Sequence, residues 1–297
     1  MKYQIMLKIG SIALRVTTSH RELIEAMHVQ DCTGLVSDPP DLQLDIQLGR
    51  VAPRFNQSDL LVWDSVVEDN IFHWWKGSLV GKVNGGSKKV SIVMDERFLD
   101  DDLTIPRTIA LRTLLIRTYY QALRQQKPWQ EVLVHGSSIL HNGFCYAFVG
   151  KSGSGKTTLC QLADKGRVIN DEIIGLARVD REGYRVFWTP LLGSMDGPEY
   201  SEYPLRALLI LNGHAPGTFI HKLDKITATK ALWSLVLYPG DLLSHNRFQV
   251  VSERLDMCAE LVNVTRCYSM DFSMDKSLWD TIDQIAHGEG ISLWKKT

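Results

Sequence analysis

Residues 144–159 read FCYAFVGKSGSGKTTL. Within them, 150–157 match G-x-x-x-x-G-K-[ST], the pattern of a phosphate-binding loop. The preceding run, Phe144–Val149, is rich in aromatic and β-branched residues, as expected for a buried strand. After the loop, apolar residues fall three and four apart, which predicts a helix that ends near Lys165-Gly166. Strand, glycine-rich loop and helix therefore follow one another in the order that this motif requires.

The residue types of this loop suit a bound phosphate. Its glycines allow backbone conformations that other residues rarely adopt, so successive N–H groups can surround phosphate oxygens. The helix after the loop would add its positive dipole end. We expect Lys156 to reach the β- and γ-phosphates of a nucleotide and the Thr157 hydroxyl to bind Mg²⁺. The predicted nucleotide-binding residues are Gly150, Lys151, Ser152, Gly153, Ser154, Gly155, Lys156, Thr157 and Thr158.

The composition argues against several classes of function. The 297 residues are 44% hydrophobic and 23% charged, as in ordinary globular proteins, and the formal net charge is −1. We therefore expect neither nucleic acid nor an anionic membrane as a partner. No apolar stretch approaches the length of a transmembrane helix, and the first residues alternate like a strand rather than a signal peptide. Five scattered cysteines predict neither a disulfide framework nor a zinc site, which favours a cytoplasmic location.

The hydrophobic pattern predicts an α/β protein with two domains joined by a helix. Residues 1–103 are expected to form a β-rich N-terminal domain, an antiparallel sheet whose strands include 59–67 and 70–75. Residues 104–130 are expected to form the linking helix, and residues 131–297 the α/β domain that carries the loop. The elements predicted in this last domain are 132–140, 144–149, the helix after the loop, 167–169, 175–188, 205–211, a helix near 227–236, a strand at 248–251 and a helix near 275–287.

Two acidic residues follow the loop closely. Asp171 and Glu172 come directly after an apolar strand and only fifteen residues beyond Lys156. A carboxylate at a strand end beside a phosphate loop can hold Mg²⁺, which we expect of Asp171 together with Thr157. The other acid can act as general base toward an incoming hydroxyl group. This short spacing distinguishes the chain from small GTPases and transport ATPases, whose second acidic motif lies far downstream.

These segments resemble those of the HPr kinase/phosphorylase-like P-loop proteins, relatives of ATP-dependent phosphoenolpyruvate carboxykinase. Val134–Gly136 lies one strand pair ahead of the loop, as the family's M-H-G segment does. The loop 150–159 is similar to the carboxykinase sequence G-x-S-G-T-G-K-T-T-L, and Asn170–Glu172 is similar to the family's Ala-Asp-Asp. Pro204–Leu208 is similar to a segment of family members found beside peptide-tailoring genes. The resemblance covers about residues 105–297.

The resemblance implies a P-loop HPr-kinase/carboxykinase-like fold for the C-terminal domain and a serine kinase that uses ATP and Mg²⁺. Lys156 would polarise the transferred phosphoryl group, while Thr157 and Asp171 would hold Mg²⁺. Glu172 would accept the proton of the substrate hydroxyl, and His135 would lie near this acid and tune it. The family's second acid is Asp, so both Asp171 and Glu172 stay candidates for the base.

The resemblance also implies the kind of partner. The acceptor would be a serine of a small protein or peptide, recognised by the β-rich N-terminal domain. A homo-oligomer is compatible with the family. The chain lacks an R-G-x-G-like segment of the bifunctional enzymes, so we do not expect phosphorolysis. Two other functions stay open: a nucleotide-binding regulatory protein without kinase activity, and a small-molecule kinase.

Overall fold

The computed structural model divides the chain into two compact units. Unit 1 comprises Met1–Trp129 and Tyr238–Val251, and unit 2 comprises Gln130–Leu237 and Ser252–Thr297. Among the described residues, no helix has both the length and the apolar character needed to span a lipid bilayer. The structure describes residues 2–36, 39–50, 65–68, 71–74, 79–85, 88–99, 104–126, 130–163, 167–179, 183–195, 201–238, 247–275 and 278–286.

Unit 1 contains a seven-stranded sheet. Its strands are β1 Tyr3–Ile9, β2 Ile12–Thr18, β3 Leu42–Gly49, β4 Ser65–Glu68, β5 Ile71–Trp74, β6 Leu79–Gly85 and β7 Lys89–Asp95. Their order across the sheet is β1-β2-β3-β7-β6-β5-β4. Along β3, Leu42, Leu44 and Ile46 are fully buried and the residues between them are partly exposed, so the alternation in the sequence sets which face meets the core.

The purely antiparallel sheet expected for this region is wrong. β2 is parallel to β3, and β3 is parallel to β7, whereas β4 to β7 pair as an antiparallel meander. Parallel neighbours need a crossover connection, and here it contains helix α1 (Arg21–Met27), which the sequence did not predict. The predicted strands 59–67 and 70–75 lie partly outside the described residues, as β4 and β5 cover only their described portions.

The long helix predicted after residue 103 is confirmed as α2, Thr104–Gln126. It packs against β2, β3 and α1 of unit 1. Arg112 on α2 donates from Nε to the Met27 carbonyl oxygen (3.3 Å) and from Nη2 to that of His28 (3.0 Å). Arg112 thereby satisfies carbonyl groups at the C-terminal end of α1. The buried residues of α2 recur at helical spacing and include Ala110, Leu111, Leu114, Leu115, Tyr119 and Leu123.

Unit 2 contains an eight-stranded mixed sheet. Its strands are β8 Glu131–His141, β9 Phe144–Val149, β10 Val168–Asn170, β11 Ile173–Val179, β12 Gly183–Phe187, β13 Glu202–His214, β14 Phe219–Lys222 and β15 Cys267–Phe272. The long strand β8 pairs with β11 through residues 131–135 and with β9 through residues 136–141. β13 pairs with β12 at its start and then lies between β9 and β15, parallel to both. The mixed α/β class is thus confirmed.

The described helices of unit 2 are α3 Lys156–Leu162, α4 Lys225–Trp233 and α6 Leu278–Ala286. A further helix, α5 Arg247–Val264, begins in the last segment of unit 1 and continues into unit 2. The predicted helices near 227–236 and 275–287 are confirmed as α4 and α6. The helix after the loop, α3, ends at Leu162, before the end predicted near Lys165-Gly166, which lies outside the described residues. α4 begins after Asp224, whose carboxylate accepts the N–H groups of its first turn.

Two predictions for this half of the chain are wrong, and a further strand was not predicted. Residues 248–251 belong to α5, because this short apolar run continues into buried residues at helical spacing, and such short runs do not separate helix from strand. The run 175–188 is not one element but contains β11 and β12, which pair antiparallel. The sequence also did not predict β15, which lies parallel to β13.

The core of unit 2 lies where β9, β13 and β15 meet α3 and α6. Its buried residues include Tyr146, Phe148, Leu159, Cys160, Leu209, Leu211, Met270, Phe272, Leu278, Trp279 and Ile282. All five cysteines of the chain are buried as thiols, without a disulfide bond. Burial raises the pKa of the Cys160 thiol to about 12, so it stays protonated and packs as a small apolar side chain. This core fixes β9 and α3 on either side of the glycine-rich loop.

Candidate functional site

The glycine-rich loop, residues 150–155, connects the buried end of β9 to the first turn of α3. Gly153 and Gly155 adopt φ values of +80° and +98°, in the left-handed region that favours glycine. A Cβ added to Gly155 would also lie 2.5 Å from Cζ of Phe272. The predicted order of strand, loop and helix is confirmed, and the last glycine of the loop is required both by its φ and by its close packing.

Lys156 lies inside this loop. It is only 7% exposed, and its Nζ donates hydrogen bonds to the carbonyl oxygens of Gly150 (2.9 Å) and Lys151 (3.1 Å). Burial lowers the pKa of Lys156, and the negative charge of Glu172 opposes this shift. The ammonium group is therefore held at the start of the loop, within the electrostatic reach of a carboxylate from another element.

The other predicted nucleotide-binding residues differ in exposure. Lys151, Ser152 and Thr157 are exposed, and Thr158 is partly buried. Ser154 is buried, and among the described residues its hydroxyl has no hydrogen-bond partner. Because a buried hydroxyl without a partner is unfavourable, Ser154 offers a group that a bound ligand would satisfy.

His135 and Glu172 come together at the edge between β8 and β11. The Gly136 N–H donates to the Glu172 carbonyl oxygen (3.0 Å), and His135 lies opposite Ile173 in the strand register. This pairing brings His135 Nδ1 to 3.7 Å from Glu172 Oε1, with Glu172 still 40% exposed. Burial and then the positive charge of Lys156 lower the pKa of His135, while Glu172 opposes the shift. The structure thus brings three predicted residues into one electrostatic group.

Asp171 has a separate set of hydrogen-bond partners. It is 5% exposed, and its Oδ2 accepts hydrogen bonds from the Ser194 N–H (2.7 Å), the Ser194 hydroxyl (2.8 Å) and the Met195 N–H (2.9 Å). A Cβ added to Gly193 would lie 1.8 Å from Asp171 Oδ1. Among the described residues, no hydrogen bond joins Asp171 to Thr157, the other predicted metal ligand. The turn 193–195 therefore binds the Asp171 carboxylate through three hydrogen bonds.

A cleft of about 720 Å³ adjoins the loop within unit 2. One wall is formed by residues 150–154 of the loop and 210–212 at the end of β13. The other wall is formed by Thr227, Lys230 and Ala231 of α4 and by Ser234 and Leu235 directly after it. The volume lies within the range of about 300–1,000 Å³ that is usual for small-molecule and cofactor sites.

Several residues of the site were missed by reasoning from the sequence. Ser194 has no motif that would link it to Asp171, and Lys230 reaches the cleft only because α4 packs there. Asn212 and Asp271 lie near the ends of the parallel strands β13 and β15, and β13 is the direct neighbour of β9, the strand that leads into the loop. A correct prediction of the parallel order β9, β13 and β15 would have placed both residues near the ligand-binding edge.

The comparisons with known proteins do not extend the resemblance drawn from the motifs. No protein-family profile matches the chain, and no curated protein is significantly similar to it. In the described ranges, no three or more His, Cys, Asp or Glu residues are grouped as ligands for a metal ion.

Proposed function

We propose that this protein is a Mg²⁺- and ATP-dependent phosphotransferase of the HPr kinase/phosphorylase-like type, which transfers the γ-phosphoryl group to a serine hydroxyl of a small protein or peptide. One observation carries the proposal. The side chain of Lys156 lies within a G-x-x-x-x-G-K-T loop, between a buried strand and a helix, and interacts electrostatically with His135 and Glu172.

The loop accounts for binding of the phosphate donor. Two of its glycines have left-handed φ values, which favour an inward turn of successive N–H groups toward an anion. A bound phosphate would replace the carbonyl oxygens of Gly150 and Lys151 as the acceptor of hydrogen bonds from Lys156 Nζ. It would also give the Ser154 hydroxyl a hydrogen-bond partner. The adjoining cleft has room for the remainder of a nucleotide.

Glu172 is the better candidate for the general base. Asp171 Oδ2 already accepts three hydrogen bonds, whereas the Glu172 side chain is 40% exposed beside His135. The lowered pKa of His135 favours its neutral form, so it can accept a proton or orient Glu172. In the transfer, the serine oxygen bonds to the γ-phosphorus as the bond to ADP breaks, and the serine proton passes to Glu172.

Mg²⁺ is expected to accompany ATP. Thr157 and Asp171 would supply oxygen ligands, the kind that Mg²⁺ prefers, and Thr157 is exposed at the start of α3. When bound, the ion neutralises charge on the phosphates. The rest of the catalysis proposed here comes from the chain itself, through the position of Lys156 and proton acceptance by Glu172.

Binding and transfer are tested separately. Calorimetry would measure ATP affinity with Mg²⁺ for the wild type, for Lys156→Ala and for the matched control Lys89→Ala, which removes an exposed lysine from β7. Radiolabelled ATP would then be offered with serine-containing peptides, a histidine-containing phosphocarrier protein, free serine and sugars. We expect Lys156→Ala to lose ATP binding, the control to retain it, and label to enter a peptide or small protein.

Other outcomes would decide against the proposal. Binding that depends on Lys156 without label in any acceptor would support a nucleotide-binding regulatory protein. Label in free serine or sugars would support a small-molecule kinase. Equal ATP affinity in the wild type and Lys156→Ala would contradict a role for the loop in nucleotide binding.

A further inference from the structure

Asn212 occupies an irregular position at the end of β13. The register between β13 and β15 shifts between Leu211 and Gly213, so Asn212 is the extra residue of a β-bulge. Bulges redirect a side chain and are frequent beside active sites. Asn212 is exposed and lines the cleft next to the glycine-rich loop. The bulge therefore lies where a ligand of the loop would extend.

Asp271 on β15 holds the Asn212 side chain in one orientation. Asn212 Nδ2 donates to Asp271 Oδ2 at 3.1 Å. A carboxylate only accepts hydrogen bonds, so the amide nitrogen of Asn212, and not its oxygen, must face Asp271. One N–H and the carbonyl oxygen of Asn212 are then left for another partner. The bond to a charged acceptor also polarises the amide and strengthens its second N–H as a donor.

The residues next to this pair contact the glycine-rich loop. A Cβ added to Gly150 would lie 3.2 Å from the carbonyl oxygen of Leu211, which precedes Asn212. A Cβ added to Gly155 would lie 2.5 Å from the ring of Phe272, which follows Asp271. The first and last glycines of the loop thus pack against the two strand ends that carry the pair. Ligands of such sheets bind outside the carboxyl ends of the parallel strands.

The charges around the cleft indicate which ligand group Asn212 would meet. Lys151 on the loop and Lys230 on α4 both line the cleft and bring positive charge to it. A chain of phosphates is the part of a nucleotide that such charges attract. Asp271 would repel phosphate, but its carboxylate faces the Asn212 amide. A neutral donor held in front of the acid suits a phosphate oxygen.

We propose that Asn212 is a phosphate-binding residue of this site, whose free N–H donates to an oxygen of the nucleotide's phosphate chain, and that Asp271 is a positioning residue that fixes the Asn212 amide. This inference rests on the proposed nucleotide site and adds a residue outside its sequence motif. It makes the carboxyl end of β13 part of donor recognition.

Calorimetry with AMP, ADP and ATP in Mg²⁺ would test the proposal on Asn212→Ala and Asn212→Asp. Loss of a hydrogen bond to a charged group predicts that Asn212→Ala lowers ATP affinity by about tenfold to a hundredfold. Asn212→Asp adds a negative charge, so its loss should be larger and should grow from AMP to ATP. The charge control is Ser252→Asp, which adds the same charge at an exposed position of α5.

For each variant, the affinities for AMP, ADP and ATP are compared as ratios within one protein preparation. An unfolded fraction of that preparation affects all three titrations equally and therefore does not change the ratios. Asp271→Ala should lower ATP affinity by less than Asn212→Ala does, because the amide donor remains but is no longer held in place. Asp271→Asn keeps an acceptor and should restore most of the affinity. Equal losses for AMP, ADP and ATP, or wild-type affinity in both Asn212 variants, would overturn this inference while Lys156→Ala still reports on the loop. A wild type that binds no nucleotide would overturn both proposals.

Discussion

Ser194 donates both its backbone N–H and its hydroxyl to one carboxylate oxygen of Asp171, at 2.7 and 2.8 Å. The Met195 N–H is a third donor to the same oxygen, so the turn 193–195 holds Asp171, which follows directly after β10 of the eight-stranded sheet. The neighbouring acid, Glu172, remains 40% exposed and lies beside His135. Two consecutive carboxylates thus have different environments, and the turn 193–195 creates the difference.

Replacing Ser194 tests the contribution of its hydroxyl to that turn. Ser194→Ala removes one of three donors to Asp171 Oδ2 and leaves the two backbone donors. We expect a loss of about 1–2 kcal/mol in the free energy of unfolding, since the acceptor is buried and charged. Chemical denaturation would measure it, with Ser252→Ala on the exposed face of α5 as the control. Equal stability of the two variants would show that the hydroxyl contributes nothing.

Gly193 should not tolerate a side chain. In Gly193→Ala the new Cβ would lie 1.8 Å from Asp171 Oδ1, so the carboxylate or the turn must move. We expect destabilisation of about 1–3 kcal/mol, as for other overpacked sites, together with reduced Mg²⁺-dependent activity. Gly34→Ala is the matched control, because nothing lies within 4 Å of its Cβ position. If both variants unfold at the same denaturant concentration, the predicted clash does not occur.

Gly155 combines a backbone requirement with a packing requirement. Gly155→Ala places alanine at φ +98° and its Cβ 2.5 Å from Phe272. We expect ATP binding to be lost and the free energy of unfolding to fall by about 2–4 kcal/mol, the sum of left-handed strain and overpacking. Denaturation and calorimetry would measure the two effects.

The chain offers a control that separates these two requirements. Gly143 in the turn between β8 and β9 has φ +80° but open space around its Cβ position. Gly143→Ala should show only the strain, about 1–2 kcal/mol, and should retain ATP binding. A Gly155→Ala variant that is no less stable than Gly143→Ala would argue against the contact with Phe272.

The lowered pKa of His135 predicts a stability that depends on pH. Below the ordinary pKa of about 6.5, the unfolded chain binds a proton at His135 that the folded chain does not yet bind. The stability that His135 contributes is therefore present above pH 6.5 and is lost as the pH falls toward its folded pKa. Free energies of unfolding at several pH values should show this slope in the wild type and less of it in His135→Gln.

Glu172 provides a second measurement on the same group. Its charge raises the pKa values of His135 and Lys156 against the effect of burial. Glu172→Gln should therefore lower the pKa of His135 further, as an NMR titration of its ring protons would show. An unchanged or higher pKa in this variant would contradict the electrostatic link between the two residues.

Much of the loop could be predicted from the sequence because its determinants are local. The glycines at 153 and 155 have the left-handed φ values that the motif anticipates, and the apolar run before them is β9. α2 was predicted for the same reason, since a periodic apolar pattern and a proline near its start lie within one segment. The closeness of Glu172 to His135 followed from a family resemblance rather than from any local pattern.

The remainder depends on pairings between distant segments. β15 and α5 were missed because a short apolar run does not reveal whether it forms a strand or part of a helix. The parallel strand pairs in unit 1 were missed because the hydrophobic pattern did not show the crossover connection that they need. Ser194 meets Asp171, and Asn212 meets Asp271, across separations of 23 and 59 residues.

The sequence by itself determined that a glycine-rich loop with Lys156 follows a buried strand, and that two acids come soon after, because glycine conformation and apolar periodicity act within a few residues. Only the tertiary structure decided which acid faces Lys156 and which is held by a turn. It also decided that Asn212 and Asp271 pair with each other beside residues that contact the loop. Those contacts depend on strand register, and in a sheet a shift of one residue turns every side chain to the opposite face.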